Sequence, residues 1–297
     1  MLDKEPEEFR FTSPVAEIWR LFRRNKVALM CGYLLLALLL LMFFAPLVAP
    51  HDINMQFVGQ ELLPPSWNSE GKISFFLGTD DLGRDLLSRI IVGLRYSFGG
   101  SLIVALLTLL IGGALGVIAG TGQGIKSNIL GHFLDAFLSI PILLLAIIIA
   151  TLRQPSLLNA ILAILLASLP YFIHQVYLAL QTEINKEYVI MLRLDGASKG
   201  YLISKVMLPN LLPVFIRLTS RIFTLAMLDI SALSFIALGA QPPLPEWGAL
   251  IRESIDLIYL APWLSVLPGF ALIFVIITAL LFSDGLAKAI ERYYRKI

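Results

Sequence analysis

The chain has 297 residues, of which 58% are apolar and 15% are charged. Soluble domains are nearer to about 45–50% apolar and about 25% charged, so the composition excludes an ordinary soluble protein and indicates a membrane-embedded one. A formal net charge of only +2 gives no reason to expect a nucleic-acid partner. The single cysteine, Cys31, excludes an internal disulfide and a multi-cysteine metal site.

Six apolar stretches are long enough to cross the core of a lipid bilayer, which takes about 20 residues of α-helix. The first follows a charged tail, residues 1–27, and no small-residue cleavage site leads into a soluble domain. We therefore interpret it as a retained anchor and not as a signal peptide. The other five stretches form a core over residues 97–285. The sequence predicts an all-α membrane protein with six transmembrane helices, near 28–49, 97–121, 132–152, 158–181, 211–238 and 265–285.

Lysines and arginines are concentrated on one side of this six-span topology. They lie in the N-terminal tail, in the turn after the second span, in residues 183–210 and in the C-terminal tail, 286–297. Basic residues mark the cytoplasmic side of a membrane protein, so we expect both termini in the cytoplasm. The loops on the other side hold six acidic and four basic residues (50–96) and three acidic and one basic residue (239–264). This mildly acidic balance is compatible with a cationic substrate.

The loop 50–96 is irregular up to Asp85, because prolines and glycines are frequent in it. Beyond that residue, apolar side chains recur at helical spacing, with polar and basic residues between them. They are Leu86, Leu87, Ile90, Ile91 and Leu94. The pattern predicts a short helix that lies in the membrane interface before the second span.

The second span carries Gly112, Gly116 and Gly120, one at every fourth position. Glycines at this spacing let two helix backbones approach closely in lipid. The sequence leaves open whether they pack within this chain or against a second subunit. The turn that follows imitates a phosphate-binding loop, but Ile125 stands where such a loop needs glycine before its lysine. We therefore expect no nucleotide site there.

Residues that could carry chemistry are few and scattered. His51, His132 and His174 have no partners at metal-ligand spacing, and no nucleophile, acid and base occur together. We expect no metal, no cofactor and no catalytic centre on this chain. Asp135 in the third span and Asp229 in the fifth lie nearest to membrane depth, where an acid is costly and usually functional. For Asp135 we expect a structural role. The sequence leaves open whether Asp229 pairs with another group for structural reasons or lines a substrate path.

Residues 183–210, which we call the elbow, interrupt the apolar chain with a polar segment that cannot lie in lipid. Residues 183–194 have the pattern of a helix, and Gly196 permits the backbone angles of a sharp turn. Residues 201–207 predict a second short helix, which Pro209 is expected to end. The elbow is thus predicted to be two short helices joined at a glycine on the cytoplasmic side.

Motifs along the chain resemble one family. The spacing from Gly196 to the Val-Met-Leu-Pro run at 206–209 resembles the EAA loop of the membrane subunits of ABC importers. The dipeptide and oligopeptide permeases have motifs similar to those at 77–89, Asp135, 141–147, 232–235, 238–243, 245–248 and 284–286. Within that family, residues 62–67, 187–190, 193–198 and 246–249 look closest to the second permease of the antimicrobial-peptide sensitivity (Sap) branch.

This resemblance implies a type I ABC importer permease fold, in which the elbow is a coupling helix that docks in a groove of an ATPase subunit. It implies a bacterial inner-membrane importer of peptides. The partners would be a second permease, two ATPase subunits that bind ATP and magnesium, and a periplasmic peptide-binding protein. The coupling residues would be Glu187, Tyr188, Val189, Ile190, Arg193, Asp195, Gly196, Ala197, Ser198, Leu208 and Pro209.

The elbow departs from the family pattern at one place. Ile190, Met191 and Leu192 occupy the Glu-Ala-Ala positions, and Glu187 lies one helical turn earlier. The main contact with the ATPase would therefore be made either by Glu187 or by the apolar face.

The sequence leaves three alternatives open. The substrate could be another small cationic solute, such as a polyamine. The chain could be a proton-coupled secondary transporter that uses Asp229, although such proteins usually have several ionisable groups at membrane depth and an inverted repeat. It could also be an anchored structural subunit without a path. Asp229 and Phe235 are the candidate residues of a substrate path.

Overall fold

The computed structural model describes residues 13–122 and 140–295, and this part of the chain is predominantly helical, with no β-strand. Two π-helical turns, Thr108–Gly112 and Leu202–Met207, each lie within a longer helix. The helices are α1 (Pro14–Arg23), α2 (Lys26–Val48), α3 (Leu86–Gly120), α4 (Ile142–Thr151), α5 (Leu157–Ile184), α6 (Glu187–Leu194), α7 (Lys199–Phe235), α8 (Trp247–Ser254) and α9 (Trp263–Tyr294).

Five of these helices, α2, α3, α5, α7 and α9, are long and apolar enough to cross a membrane. They correspond to the first, second, fourth, fifth and sixth predicted spans. The predicted third span, 132–152, begins outside the described residues, and α4 is its described part. The all-α membrane fold is confirmed.

The segment before the second span differs from the prediction. There is no separate interfacial helix among the described residues, because α3 runs without a break from Leu86 to Gly120. Asp85 caps this helix by accepting a hydrogen bond from the Ser88 amide at 3.0 Å. Ser88 and Arg89, which the pattern placed between the apolar positions, are buried. The polar side of this helix is therefore covered by other parts of the protein and not by lipid headgroups.

The second helix of the elbow is also continuous with a span. Residues 199–207 form the first part of α7, and Pro209 does not end the helix as predicted. A proline removes an N–H group, and its ring crowds the carbonyl four residues earlier. The π-helical turn that ends at Met207 widens the helix where the ring of Pro209 would crowd it, so the helix continues past the proline. Residues 286–294 of the C-terminal tail are similarly the last part of α9, which ends at Tyr294.

The main apolar core lies between α3, α5, α7 and α9. The glycine row of α3 packs against α5 of the same chain, and each glycine faces one α5 side chain. An added Cβ would lie 3.1 Å from Phe172 at Gly112, 2.6 Å from Val176 at Gly116 and 2.8 Å from Leu180 at Gly120. The two helices therefore approach so closely that a methyl group does not fit at Gly116 or Gly120 without a shift.

The bundle has two ends. The elbow face carries α1, the elbow and the C-terminal end of α9. At this end Phe22 of α1 packs edge-on against Phe282 of α9, with ring centroids 5.8 Å apart, and Arg217 of α7 pairs with Glu291 of α9. The loop face, at the opposite end, carries residues 49–85 and 236–262.

A buried ionic cluster holds the loop face together. Asp80 accepts from Arg84 Nε at 2.6 Å and from Arg89 Nη1 at 2.7 Å. Glu253 of α8 accepts from the same two guanidinium groups at 3.1 and 2.9 Å. Because Arg89 is only 2% exposed, the cluster has little contact with water. It fixes the loop 49–85 to α3 and α8.

Glu246 makes a second polar junction on the loop face. Its carboxylate is fully buried and accepts hydrogen bonds from Ser97 Oγ of α3 and Ser231 Oγ of α7, both at 2.8 Å. It also caps α8, because the Ala249 amide donates to it at 3.0 Å. Three neutral donors compensate the buried charge, and the junction connects α3, α7 and α8.

Candidate coupling site

The turn of the elbow is built around Gly196, whose φ of +86° lies in the region that favours glycine. The Gly196 amide donates to Arg193 O at 3.2 Å and the Ala197 amide donates to Leu192 O at 3.0 Å. These two bonds satisfy the last carbonyls of α6 in a Schellman motif. No atom lies within 4 Å of a Cβ added at Gly196, so the turn requires glycine for its backbone angle and not for space. Ser198 then caps α7 by accepting from the Tyr201 amide.

The inner side of α6 is held against the ends of α5 and α7. Val189 is fully buried and belongs to the main core. Beside it, the Tyr188 hydroxyl donates a hydrogen bond to the Glu183 carboxylate and accepts one from Asn210 Nδ2 at 2.9 Å. Lys186 Nζ lies 2.6 Å from the other carboxylate oxygen of Glu183. Burial, and next the hydrogen bond to Glu183, raises the pKa of Tyr188 to about 12.

The outer side of α6 is an exposed apolar patch within a charged rim. Ile190, Met191 and Leu194 form the patch, and Leu194 is 82% exposed. Leu192, the third residue of the substituted motif, is half-buried. The rim consists of exposed charged residues: Glu187, Arg193, Asp195 and Lys199. An apolar centre with a polar rim is the usual anatomy of a protein–protein interface.

The predicted coupling residues divide by exposure. Those on the outer side and in the turn are exposed: Glu187, Ile190, Arg193, Asp195, Gly196 and Ser198. Tyr188 and Ala197 are half-buried and Val189 is buried. Leu208 and Pro209 are half-buried and lie in α7 just beyond the π-helical turn. The structure thus brings nine of the eleven residues together on α6 and its turn, and it places the last two in the adjoining span.

The candidate path residues do not form one site. Asp229 lies within α7, is 8% exposed and has no ion pair or hydrogen bond with a side chain in the described part of the chain. Phe235 is 41% exposed and is the last residue of α7, next to the loop-face residues 236–262. Six residues of α-helix separate them by about 9 Å along the axis and place them on different sides of the helix. Asp135 and His132 lie outside the described residues.

Comparison with known families identifies the fold that carries this elbow. A family model described as "Binding-protein-dependent transport system inner membrane component" matches residues 112–296, which include the whole elbow. The chain belongs to this family. A second model, the N-terminal TM domain of oligopeptide transport permease C, matches residues 13–65. The protein is therefore a permease subunit of an ABC-type transport system, and the family expected from its motifs is confirmed.

Named relatives of this permease cover nearly its full length. The peptide transport system permease protein SapC of Haemophilus influenzae is 55% identical over 99% of both chains. SapC of Salmonella typhimurium is 45% identical over 92% of both chains. The dipeptide transport system permease protein DppC of Haemophilus influenzae is 37% identical over 96% of this chain and 97% of its own.

A solved structure supports the fold of the permease. The chain is similar to the MetNI methionine ABC transporter in an inward-facing conformation, with a TM-score of 0.56 and 18% identity. The match covers 68% of this chain and 95% of that chain. At this identity the likeness shows the fold alone, and it agrees with the importer permease fold that the motifs implied.

Two sets of residues were not among the predicted site residues. Glu183 and Asn210 are the first and last residues of the elbow, and their only sequence signal is that each is polar beside an apolar stretch. The loop-face residues Arg89, Glu246 and Glu253 gave no spacing signal, because Arg89 and Glu253 are 164 positions apart. Only the folded chain brings them together.

Proposed function

We propose that this permease is one of two membrane-spanning subunits of an ATP-driven peptide importer, and that its elbow is moved by separate ATPase subunits. The observation that carries the proposal is the exposed patch of Ile190, Met191 and Leu194 on the elbow face. The patch lies on a short helix between two spans, where no lipid covers it. A protein partner is the cover that fits its apolar centre and charged rim.

The partners follow from this role. Two ATPase subunits bind ATP and magnesium, a second permease completes the pathway, and a periplasmic peptide-binding protein delivers substrate to the loop face. The complex lies in the inner membrane of a bacterium, with the elbow and both termini in the cytoplasm. The bias of lysine and arginine towards the elbow, the N-terminal tail and the C-terminal tail supports this orientation.

Peptides are the proposed substrates because the relatives named above are peptide and dipeptide permeases. The acidic balance of the two loop-face segments supports a preference for cationic peptides. We assign Asp229 and Phe235 to the path of the substrate. Asp229 supports this assignment, because its buried carboxylate, which has no ionic partner among residues 13–122 and 140–295, would attract a cationic group.

Transport then requires a ligand that distinguishes two states of the bundle. A ligand shifts a conformational equilibrium only by its difference in affinity for the two states. ATP on the partner subunits supplies this difference. Closure of the ATPase pair displaces α6, and the displacement is passed to α5 and α7, which open the pathway alternately towards either face.

The patch can be tested directly by charge substitution. Met191→Glu together with Leu194→Glu places two carboxylates in the proposed interface, where burying an unpaired charge is costly. We expect the ATPase subunits no longer to co-purify with the permease. Val58→Glu is the matched control, because Val58 is a fully exposed apolar residue of the loop face. Normal co-purification of the ATPase subunits with the double variant would contradict the proposal.

A further inference from the structure

The elbow contains two places that could absorb a displacement instead of transmitting it. One is the break at Asn185 and Lys186, between α5 and α6. The other is the turn at Gly196, where no atom lies within 4 Å of an added Cβ. A push on α6 could therefore be taken up by backbone rotation at both ends of this eight-residue helix. Transmission needs a connection that bypasses these two joints.

The Tyr188 side chain makes such a connection. Its hydroxyl donates to Glu183, in the last turn of α5, and accepts from Asn210, near the start of the continuous part of α7 beyond the π-helical turn. One atom of α6 therefore touches both neighbouring spans. The phenol ring has only two rotatable side-chain bonds, so it is a stiff link compared with a lysine or glutamate chain.

The environment of this link keeps it in place. Glu183 is 3% exposed, so its carboxylate has few water molecules to replace a lost donor. Lys186, which is part of the first joint, pairs with the second oxygen of the same carboxylate. Val189, the next residue along α6, is buried in the main core and holds the ring against the bundle. A hydrogen bond to a charged group in such surroundings is among the stronger ones in proteins.

We propose that Tyr188 is a positioning residue that transmits the displacement of α6 to α5 and α7 together, by bridging Glu183 and Asn210. The inference rests on the proposed function, because it assumes that α6 is the element that the ATPase subunits move. It assigns Tyr188 a role distinct from that of the outer patch: the patch binds the partner, and the hydroxyl passes the movement on.

The test compares two hydroxyl deletions in the assembled importer. Tyr188→Phe keeps the ring and its packing but removes both hydrogen bonds. Tyr201→Phe is the matched control, because Tyr201 lies in the same segment, is exposed, and its hydroxyl has no hydrogen-bond partner among the described residues. The measured quantity is the amount of peptide taken up per ATP hydrolysed by the full complex in proteoliposomes. We expect this ratio to fall roughly tenfold with Tyr188→Phe and to stay unchanged with Tyr201→Phe.

A second variant separates transmission from folding. Asn210→Ala removes the other end of the bridge without touching Tyr188, and it is expected to lower the same ratio. The double variant Tyr188→Phe with Asn210→Ala is expected to be no worse than the more severe single variant, because both break one connection. A merely structural role would reduce the amount of assembled complex and leave the ratio unaltered.

The outcomes distinguish this inference from the function on which it rests. Wild-type uptake driven by ATP, with an unchanged ratio in Tyr188→Phe or Asn210→Ala, would overturn the role of Tyr188 alone. Additive losses in the double variant would also overturn it. Failure of the wild-type complex to take up peptide on ATP hydrolysis would overturn the proposed function, and this inference with it.

Discussion

Substitution of Gly196 by alanine tests whether the turn of the elbow is needed in its observed form. The φ of +86° is costly for a residue with a Cβ, by about 1–2 kcal/mol. No steric term adds to this figure, because no atom lies within 4 Å of the new methyl group. A loss of about 1–2 kcal/mol makes local opening of the turn about five- to thirtyfold more frequent. Gly196→Ala thus isolates backbone strain from packing.

Amide hydrogen exchange measures this opening directly, because the Gly196 and Ala197 amides are hydrogen-bonded to α6 carbonyls. We expect their protection in the variant to fall by the same five- to thirtyfold, and the ATPase subunits to bind more weakly. Gly200→Ala is the matched control, since Gly200 is helical and has equally open surroundings. Two results would contradict the prediction: equal amide protection in the wild type and Gly196→Ala, or an equal loss of protection in Gly196→Ala and Gly200→Ala.

Three further predictions concern the bundle. Gly116→Ala should lower the free energy of unfolding by about 1–3 kcal/mol through overpacking, because the added Cβ would lie 2.6 Å from a valine. Gly113→Ala should be tolerated, because its Cβ would lie 3.5 Å from the nearest neighbour. Thermal unfolding in detergent checks this, and equal unfolding midpoints for the two variants would contradict it. Arg89→Gln should lower the free energy of unfolding by about 3 kcal/mol, because it breaks a buried ion pair. Arg95→Gln, at an exposed position of the same helix, should change it little. Chemical denaturation compares the two variants, and equal free energies of unfolding would contradict the prediction. The pKa of Tyr188 is raised from 10.0 to about 12, so the folded protein holds this proton more tightly than the unfolded chain. Its contribution to stability is therefore complete below pH 10 and is lost as the pH rises through 12. In an ultraviolet titration, Tyr188→Phe should lack one late-titrating tyrosine, and identical titration curves for the variant and the wild type would contradict this.

The transmembrane architecture could be predicted because a bilayer leaves few choices. Backbone groups in lipid must be satisfied within the segment, so a long apolar run has to be helical. Five of the predicted spans accordingly coincide with long helices of the structure. The break at Gly196 was predictable for a similar reason, because glycine in a polar segment between two helical patterns has a direct backbone meaning.

The limits of helices were harder to predict, because local signals compete with the surroundings. Pro209 is a strong local signal for a helix end, yet a π-helical turn before it removes the conflict and α7 continues. The polar residues of the segment before the second span, such as Arg89, suggested a helix on the membrane surface. They are instead buried and paired with Asp80 and Glu253. Glu253 lies so far along the chain that no spacing in the sequence indicates it as a partner.

The coupling site shows the same division between local and long-range signals. The exposed patch could be predicted in outline, because its residues are adjacent on one short helix. The bridge from Tyr188 to Glu183 and Asn210 could not, because the roles of these three polar residues depend on how α5, α6 and α7 meet. The family resemblance identified the elbow, and the packing of the folded chain identifies the residues that connect it to the bundle.

The central claim is that energy for transport enters this permease through the elbow from ATP bound on other subunits. Peptide uptake into proteoliposomes that contain the complete complex tests it most directly, with the ATP supply and the proton gradient varied independently. We predict uptake that requires ATP hydrolysis, survives collapse of the proton gradient and is lost when residues 187–198 are deleted. Uptake that persists without ATP but stops when the proton gradient collapses would contradict the account.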